Sequence, residues 1–310
     1  MCPATPSRPA RLPPALAPGA RVALLAPAGP LASPDDLVRA EQNARALGWE
    51  PVPGAHVLAR EGYLAGSDAQ RLGDLNAALA DDAIDGVWCV RGGYGAMRLL
   101  EHVDYDALRR HPKALMGYSD ITALHGAIMT RGVVVTFHAP VARAALTPFS
   151  RDSLARATAR REESCGGAPA ARVLRGGRAR GRLVGGNLSL LAALAGTPFA
   201  PDYTDAIVLM EDVHEDVYRV ERMLLTLRLG GAFASCRALV FGAFTDGREE
   251  RQDAGGSRSL DAVLTELADT LRVPCVAGVP VGHIADQWTV PLGAGAELDA
   301  DARALTTALA

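Results

Sequence analysis

The chain has 310 residues, of which 49% are hydrophobic and 22% are charged, a balance that allows a large buried core in one or two domains. Its formal net charge of -3 argues against a surface that binds nucleic acid or an anionic membrane, because both need concentrated positive charge. No run approaches the roughly 20 apolar residues that a membrane-spanning helix needs.

The amino-terminal segment and the cysteines both indicate in which cellular compartment the protein is found. Pro13, Pro14 and Pro18 interrupt any run long enough for the apolar core of a signal peptide. The five cysteines are widely spaced and contain no CxxC pair, which argues against a disulfide framework and against a zinc site. We therefore expect a cytoplasmic protein.

Strands and helices alternate through the first half of the sequence. Short apolar runs that end at turn residues predict strands at 21–30, 84–90, 113–119 and 133–141. Amphipathic segments predict helices at 33–48, 68–82, 96–103 and 120–132. Apolar strands separated by helices indicate a parallel sheet covered on both faces, with ligand chemistry at the carboxyl ends of its strands.

The composition changes between residues 151 and 180, where Arg, Ala, Gly and Ser dominate without periodicity. We interpret residues 161–182 as a linker. It would join an amino-terminal α/β domain at 1–160 to a carboxyl-terminal domain at 183–310.

The second half combines short strands with two predicted helices, at 218–231 and 259–271. A polar, Gly-rich loop is predicted at 246–258. Because the strands are short, we expect a small β-rich sandwich or barrel. The predicted fold class is therefore α/β, with a parallel-sheet first domain and a smaller β-rich second domain.

Ser119 lies where a predicted strand turns into a helix, in "MGYSDITAL". A sharp turn there would lift the hydroxyl clear and leave the amide of Asp120 facing a developing oxyanion, as a nucleophile requires. The segment resembles the nucleophile elbow G-x-S-x-G, but Ile121 occupies the place of the second glycine. The residues alone leave a second interpretation open, in which Ser119 caps the following helix.

A candidate acid and a candidate base lie in the second half. Glu211 ends the apolar run "AIVLM", where a carboxylate needs a partner, although Asp212 and Glu215 are alternatives and all three could form a solvated loop. His283 follows Gly282 before a polar loop, a position equally compatible with a capped or core histidine. Serine, acid and histidine in this chain order match one known order of catalytic triads.

The stretch "VRGGYGAMRLL" places a Gly-rich turn after a strand. Amides of Gly92 or Gly93 could complete an oxyanion hole with that of Asp120. A phosphate-binding loop is the alternative, but the third glycine of GxGxxG is missing and no GxxxxGK[ST] occurs. Since no HExxH or comparable spacing occurs either, we expect neither cofactor nor metal. Arg91 could bind a carboxylate, or could be an ordinary exposed or ion-paired arginine.

Five ordered blocks of the sequence resemble the LD-carboxypeptidases, serine peptidases that include the murein tetrapeptide carboxypeptidases. The blocks are "VRGGYGAMRLL", "MGYSDITAL", "GNLSLLAALAGTP", "VLMEDVHEDVYRVERMLLTL" and "VGHIADQWTVPLGA". The resemblance covers nearly the whole chain and implies a flavodoxin-like first domain, with the active site between the two domains. It further implies Ser119 as nucleophile, Glu211 as acid and His283 as base, with Asp120 and Gly92 or Gly93 as oxyanion donors.

The same resemblance implies an enzyme of cell-wall recycling that releases D-Ala from L-Ala-D-Glu-meso-diaminopimelate-D-Ala. We expect a small muropeptide as its partner and a homodimer as its assembly. A related branch of the family hydrolyses microcin-type aminoacyl-nucleotide conjugates with the same triad, so the triad does not separate the two. A third hypothesis, a non-catalytic sensor on the same fold, would tolerate loss of Ser119, Glu211 or His283, yet all three are present.

Overall fold

The computed structural model of the protein describes residues 10–131, 134–247 and 258–309. Most of the predicted loop at 246–258 therefore lies outside the described residues. In these ranges no helix combines the length and the apolar character needed to cross a membrane.

Strands and helices alternate along most of the described chain. The strands are β1 (Arg21–Leu25), β2 (Glu50–Pro53), β3 (Gly86–Cys89), β4 (Ala114–Gly117), β5 (Thr136–His138), β6 (Gly166–Gly167), β7 (Arg172–Arg175), β8 (Arg178–Asn187), β9 (Ala206–Val213), β10 (Ala238–Thr245), β11 (Cys275–Ala277), β12 (Val290–Leu292), β13 (Gly295–Asp299) and β14 (Ala304–Thr307). The helices are α1 (Pro34–Ala46), α2 (Asp68–Ala80), α3 (Tyr105–Arg110), α4 (Thr122–Thr130), α5 (Pro148–Ala155), α6 (Leu188–Leu194), α7 (Val217–Leu229) and α8 (Leu260–Leu271).

The first sheet has the strand order β12-β5-β4-β3-β1-β2. Strands β1 to β5 pair in parallel, and β12 pairs antiparallel to β5. β3 and β4 are buried along their whole length, as strands covered on both faces must be. The order 2-1-3-4-5 is that of flavodoxin-like folds, so the predicted class of the first domain is confirmed.

The second sheet has eight strands in the order β6-β14-β13-β8-β9-β10-β11-β7. Its centre, from β8 to β11, is parallel, and the strands on either side run antiparallel. Apolar side chains of β9, β10 and α7 form much of its core. The expected small sandwich or barrel is thus replaced by one mixed sheet with helices packed on it.

The segment at 161–182, predicted to be a linker, contains β6, β7 and the start of β8. In β8, Arg178 and Arg180 extend from the sheet and pair with Asp299 and Glu297 of β13, at 2.6 and 2.7 Å. The segment is ordered because its strands pair within the second sheet, β6 with β14, β7 with β11 and β8 with β13. The exposed cross-strand ion pairs add little to this pairing.

The chain crosses between the two sheets again after the predicted boundary. β12 completes the first sheet, with Val290 opposite His138. Directly after it, Gly293 donates a backbone hydrogen bond to Leu183 of β8 at 2.7 Å, and Leu183 donates to Ala294 at 2.8 Å. The second domain therefore supplies the edge strand of the first, and the two sheets are joined by one continuous segment.

The predicted helix at 96–103 is also shorter than expected. Residues 96–99 form one 3₁₀ turn, and α3 begins only at Tyr105. The side chain of Asp104 accepts a hydrogen bond from the amide of Ala107 at 2.8 Å. This cap starts a new helix and so divides the predicted one.

Two histidines are fully buried near the end of β4. His125, on α4, donates from Nε2 to the carbonyl oxygen of Gly117 at 2.9 Å, and His138 pairs with Gly117 across the sheet. Burial lowers the pKa of His125 from 6.5 to about 4. Burial, with the charges of His125 and His283, also lowers the pKa of His138. Both rings are therefore neutral at pH 7.

We expect the free energy of unfolding to fall as the pH is lowered from 6.5 towards about 4, because the unfolded chain gains protons that the buried His125 ring excludes. One such histidine contributes at most about 1.4 kcal/mol per pH unit. Urea unfolding at several pH values measures this slope. His125→Gln, which keeps a donor for Gly117, should flatten the slope between about pH 6 and pH 5, whereas the exposed His102→Gln should not. Equal slopes in wild type and His125→Gln would contradict the assignment.

Candidate active site

Ser119 lies in the tight turn between β4 and α4. Its backbone has φ of 63°, in the left-handed region that a residue with a Cβ adopts only at a cost. Gly117, two residues earlier, also has positive φ, and a methyl group there would lie 3.0 Å from Ile121 and 3.1 Å from Cys89. The turn is therefore closely packed against Ile121 and Cys89 and holds Ser119 in a strained conformation.

The hydroxyl of Ser119 does not cap the helix that follows. The 3₁₀ turn at 119–121 has Tyr118 in the N-cap position, α4 has Ile121 there, and neither makes a side-chain capping bond. The capping interpretation of Ser119 is therefore wrong, and its hydroxyl is left available for another role.

Gly92 approaches Ser119 closely from the neighbouring loop. A methyl group at Gly92 would lie 2.9 Å from Cβ and 3.2 Å from Oγ of Ser119, so no larger residue fits. The carbonyl oxygen of Gly92 accepts a hydrogen bond from the amide of Gly29 at 3.0 Å. Because C=O and N–H point in opposite directions across a trans peptide, the N–H of Gly93 points away from Gly29.

The side chain of Asp120 ties the two loops together. It is almost completely buried, and its Oδ2 accepts a hydrogen bond from the amide of Ala96 at 2.8 Å. Burial raises the pKa of this carboxyl group, and the bond from Ala96 and the charge of Arg71 oppose the rise. Arg71, itself buried, donates to the carbonyl oxygens of Pro27 and Gly95. The carboxylate of Asp120 thus holds the Gly-rich loop, a role beyond the backbone amide predicted from the sequence.

Glu211 and His283 form a hydrogen-bonded pair. Glu211, at the carboxyl end of β9, is completely buried, and its Oε2 lies 2.9 Å from Nδ1 of His283. A carboxylate can only accept, so Nδ1 carries the proton and Nε2 is left as the basic nitrogen. Burial raises the pKa of Glu211, and the hydrogen bond and charge of His283 oppose the rise.

Two glycines make room for this pair. A methyl group at Gly282, whose φ is 120°, would lie 2.8 Å from Oε2 of Glu211. A methyl group at Gly242 would lie 2.4 Å from the carbonyl oxygen of Val281 and 3.1 Å from Cβ of Glu211. These two positions must remain glycine if the carboxylate is to reach the imidazole.

The alternative acids are occupied elsewhere. Asp212 accepts hydrogen bonds from Nδ2 of Asn187 at 2.9 Å and from the hydroxyl and amide of Ser189 at 2.7 and 2.9 Å. Glu215 is partly exposed and lies 3.8 Å from Arg219. Asp212 therefore fixes the start of α6 against β9, and Glu211 is the acid that contacts His283.

Tyr118 connects the two halves of the site. Its ring packs on that of His283 at 4.7 Å between centroids and on that of His138 at 5.7 Å. Since Tyr118 directly precedes Ser119, this contact brings the imidazole to the serine turn. Within the described ranges His283 is hydrogen-bonded to Glu211 and not to Ser119, as is common where a catalytic contact tightens only on substrate binding. No local pattern in the sequence predicts this role of Tyr118.

Arg91 lies in the Gly-rich loop, directly before Gly92. Its guanidinium donates to the carbonyl oxygen of Pro30 and its Nε lies 3.6 Å from where a Cβ of Gly29 would be. Burial and the positive charges of Arg143 and Arg60 lower the pKa of Arg91, and Asp36 opposes them. In the part of the chain that the structure describes, no group of His, Cys, Asp and Glu side chains could hold a metal ion.

Two family models match the chain. Residues 22–139 match the LD-carboxypeptidase N-terminal domain, and residues 180–298 match the LD-carboxypeptidase C-terminal domain. The matched ranges together span most of the sequence and include Ser119, Glu211 and His283.

Individual proteins agree with the family models. A putative carboxypeptidase of Streptomyces coelicolor is 40% identical over 313 residues, covering 96% of this chain and 95% of its own. The murein tetrapeptide carboxypeptidase of Pseudomonas aeruginosa is 35% identical over 297 residues, covering 90% and 93%. The microcin C7 self-immunity protein MccF of Escherichia coli is 26% identical over 289 residues, covering 82% of each.

A solved structure extends the similarity to three dimensions. The muramoyltetrapeptide carboxypeptidase from Oxalobacter formigenes superimposes with a TM-score of 0.79 at 30% identity, covering 93% of this chain and 97% of the other. Fold, sequence and domain order agree along nearly the whole length. The chain therefore belongs to the LD-carboxypeptidase family and is a serine-type carboxypeptidase.

Proposed function

We propose that this enzyme releases the terminal D-Ala from murein tetrapeptides, in the cytoplasm, during peptidoglycan recycling. The observation that carries the proposal is the hydrogen bond between buried Glu211 and His283, whose ring packs on Tyr118, the residue before the strained Ser119. The relative named as a murein tetrapeptide carboxypeptidase, at 35% identity, supports the choice of substrate.

In the proposed mechanism, Oγ of Ser119 attacks the carbonyl carbon between meso-diaminopimelate and D-Ala and passes its proton to Nε2 of His283. Glu211 accepts the hydrogen bond from Nδ1, which fixes the ring tautomer and stabilises the imidazolium. His283 then returns the proton to the leaving amine. Water hydrolyses the acyl-enzyme by the same route.

The oxyanion would be stabilised by backbone amides on two loops. The amide of Asp120 begins the 3₁₀ turn after Ser119, and the amide of Gly93 points away from the Gly29 loop. The bond between the Asp120 carboxylate and Ala96 fixes the distance between these loops. Donors held in place before the reaction cost no reorganisation in the transition state.

Ser119→Ala should reduce kcat by a factor on the order of 10⁴ or more, because the reaction loses its nucleophile. The substitution removes one oxygen that caps no helix, so the circular dichroism spectrum and the unfolding midpoint should stay close to wild type. Mass spectrometry of alanine release from the tetrapeptide measures this decrease in kcat. A folded Ser119→Ala protein with more than trace activity would refute the nucleophile.

Glu211→Gln should reduce kcat by a factor on the order of 10³ to 10⁴, because a neutral amide no longer enforces the tautomer with a basic Nε2. Glu215→Gln is the matched control, since Glu215 is partly exposed and pairs loosely with Arg219. Its kcat should stay within about twofold of wild type. The reverse pattern would mean that the acid lies at position 215.

The substrate is tested with tetrapeptides ending in D-Ala and in L-Ala, with the pentapeptide ending in D-Ala-D-Ala, and with a microcin-type aminoacyl-nucleotide. We expect rapid release only from the D-Ala tetrapeptide, because misplacing the scissile carbonyl by about 1 Å can cost on the order of a hundredfold in rate. Equal rates on the tetrapeptides ending in D-Ala and in L-Ala would contradict the proposed LD-specificity. A preference for the nucleotide conjugate would instead assign the activity suggested by MccF.

A further inference from the structure

Three loops meet at the carboxyl ends of β1, β3 and β5. The amide of Ala142 donates to the carbonyl oxygen of Cys89 at 3.0 Å, and the amide of Gly29 donates to that of Gly92 at the same distance. Asn43 of α1 fixes the third loop by donating to the carbonyl oxygens of Ala142 and Ala144, at 2.7 and 2.8 Å. The loop after β5 is therefore held beside the loop that carries Arg91.

Arg60, Arg91 and Arg143 form an arginine cluster on these loops. Arg60 and Arg91 donate to the consecutive carbonyl oxygens of Leu31 and Pro30. Nη1 of Arg143 lies 3.9 Å from Oδ1 of Asp36, the carboxylate that faces the cluster. Three cations around one acid leave excess positive charge, which favours an anionic ligand.

Arg143 has a donor group that no described residue uses. Its Nε is buried and has no hydrogen-bond partner among the described residues, and its side chain is 35% exposed. Burial and the charge of Glu211 raise the pKa of Tyr118, and the positive charge of Arg143 opposes this rise. Arg143 therefore has donor capacity to spare and lies in electrostatic reach of the residue that precedes Ser119.

We propose that Arg143, together with Arg91, binds the free carboxylate of the leaving D-Ala. This assignment rests on the proposed function. The carboxylate carbon is three covalent bonds from the reacting carbonyl carbon, hence within about 4 Å of it, whereas the other two carboxylates of the tetrapeptide lie farther along the chain. Arg91 directly precedes Gly92, which contacts Ser119. The residue before Arg143, Ala142, is hydrogen-bonded to Cys89, two residues before Arg91, so the two cations lie on adjacent loops beside the serine turn.

The test compares the free tetrapeptide with three derivatives, each carrying one amidated carboxylate, on D-Ala, D-Glu or meso-diaminopimelate. Wild type should prefer the free peptide over the D-Ala amide by roughly 10- to 100-fold in kcat/KM, the range of a hydrogen bond to a charged group. Arg143→Gln should raise KM for the free peptide by a similar factor and reduce its preference over the D-Ala amide to a few fold. Its response to the other two amides should match wild type.

Arg143→Lys and Arg39→Gln complete the design. Lysine keeps the charge without the bidentate geometry, so Arg143→Lys should retain part of the preference for the free peptide over the D-Ala amide. If Arg143→Gln fails to fold, Arg143→Lys tests the assignment in its place. Arg39 contacts Asp36 from the exposed side of α1, at 3.7 Å, and Arg39→Gln should behave as wild type.

Several results would overturn the assignment. One is that both Arg143 variants still prefer the free tetrapeptide over the D-Ala amide as strongly as wild type does. Another is that the variants lose their preference for the free tetrapeptide over the D-Glu or meso-diaminopimelate amide, and not over the D-Ala amide. Failure of wild type to cleave the free tetrapeptide at all would reject the proposed function itself and is seen before any variant is made.

Discussion

A completely buried carboxylate, that of Glu211, is the constraint on which the organisation of the site depends. Removing an ionised carboxyl group from water costs several kcal/mol unless a partner is supplied. Here the partner is Nδ1 of His283, and the pair fits only because positions 242 and 282 have no side chain. The adjacent acid, Asp212, is satisfied separately by Asn187 and Ser189, so it does not compete for the imidazole.

The site is assembled from both sheets and from the segment that joins them. Ser119 follows β4 of the first sheet and Glu211 ends β9 of the second. His283 lies between β11, in the second sheet, and β12, in the first. The imidazole is thus anchored by a hydrogen bond on one side and by the Tyr118 ring on the other. The position of His283 relative to Ser119 is set by how the two domains pack.

Local patterns in the sequence were sufficient for the parallel sheet and for the strand ends that carry Ser119 and Glu211, because apolar runs and turn residues mark both. They failed for β8, because it pairs with β13, more than 100 residues away, which sets Arg178 and Arg180 opposite Asp299 and Glu297. They also could not place β12 in the first sheet, since strand partners over such separations depend on the whole topology. The contacts of Tyr118 and Arg143 depend on which loops lie next to each other, and local sequence patterns do not predict this.

The strand exchange has a consequence for how the chain can be divided. The region matched by the family's N-terminal model, 22–139, has a sheet edge at β5 that pairs with β12, from the other region. Expressed alone, it would present unpaired amide and carbonyl groups there, a template for aggregation. The two named domains are therefore not interchangeable modules. A recombination event or fragment boundary near residue 160 would separate a sheet from its own edge, and Ser119 from Glu211 and His283.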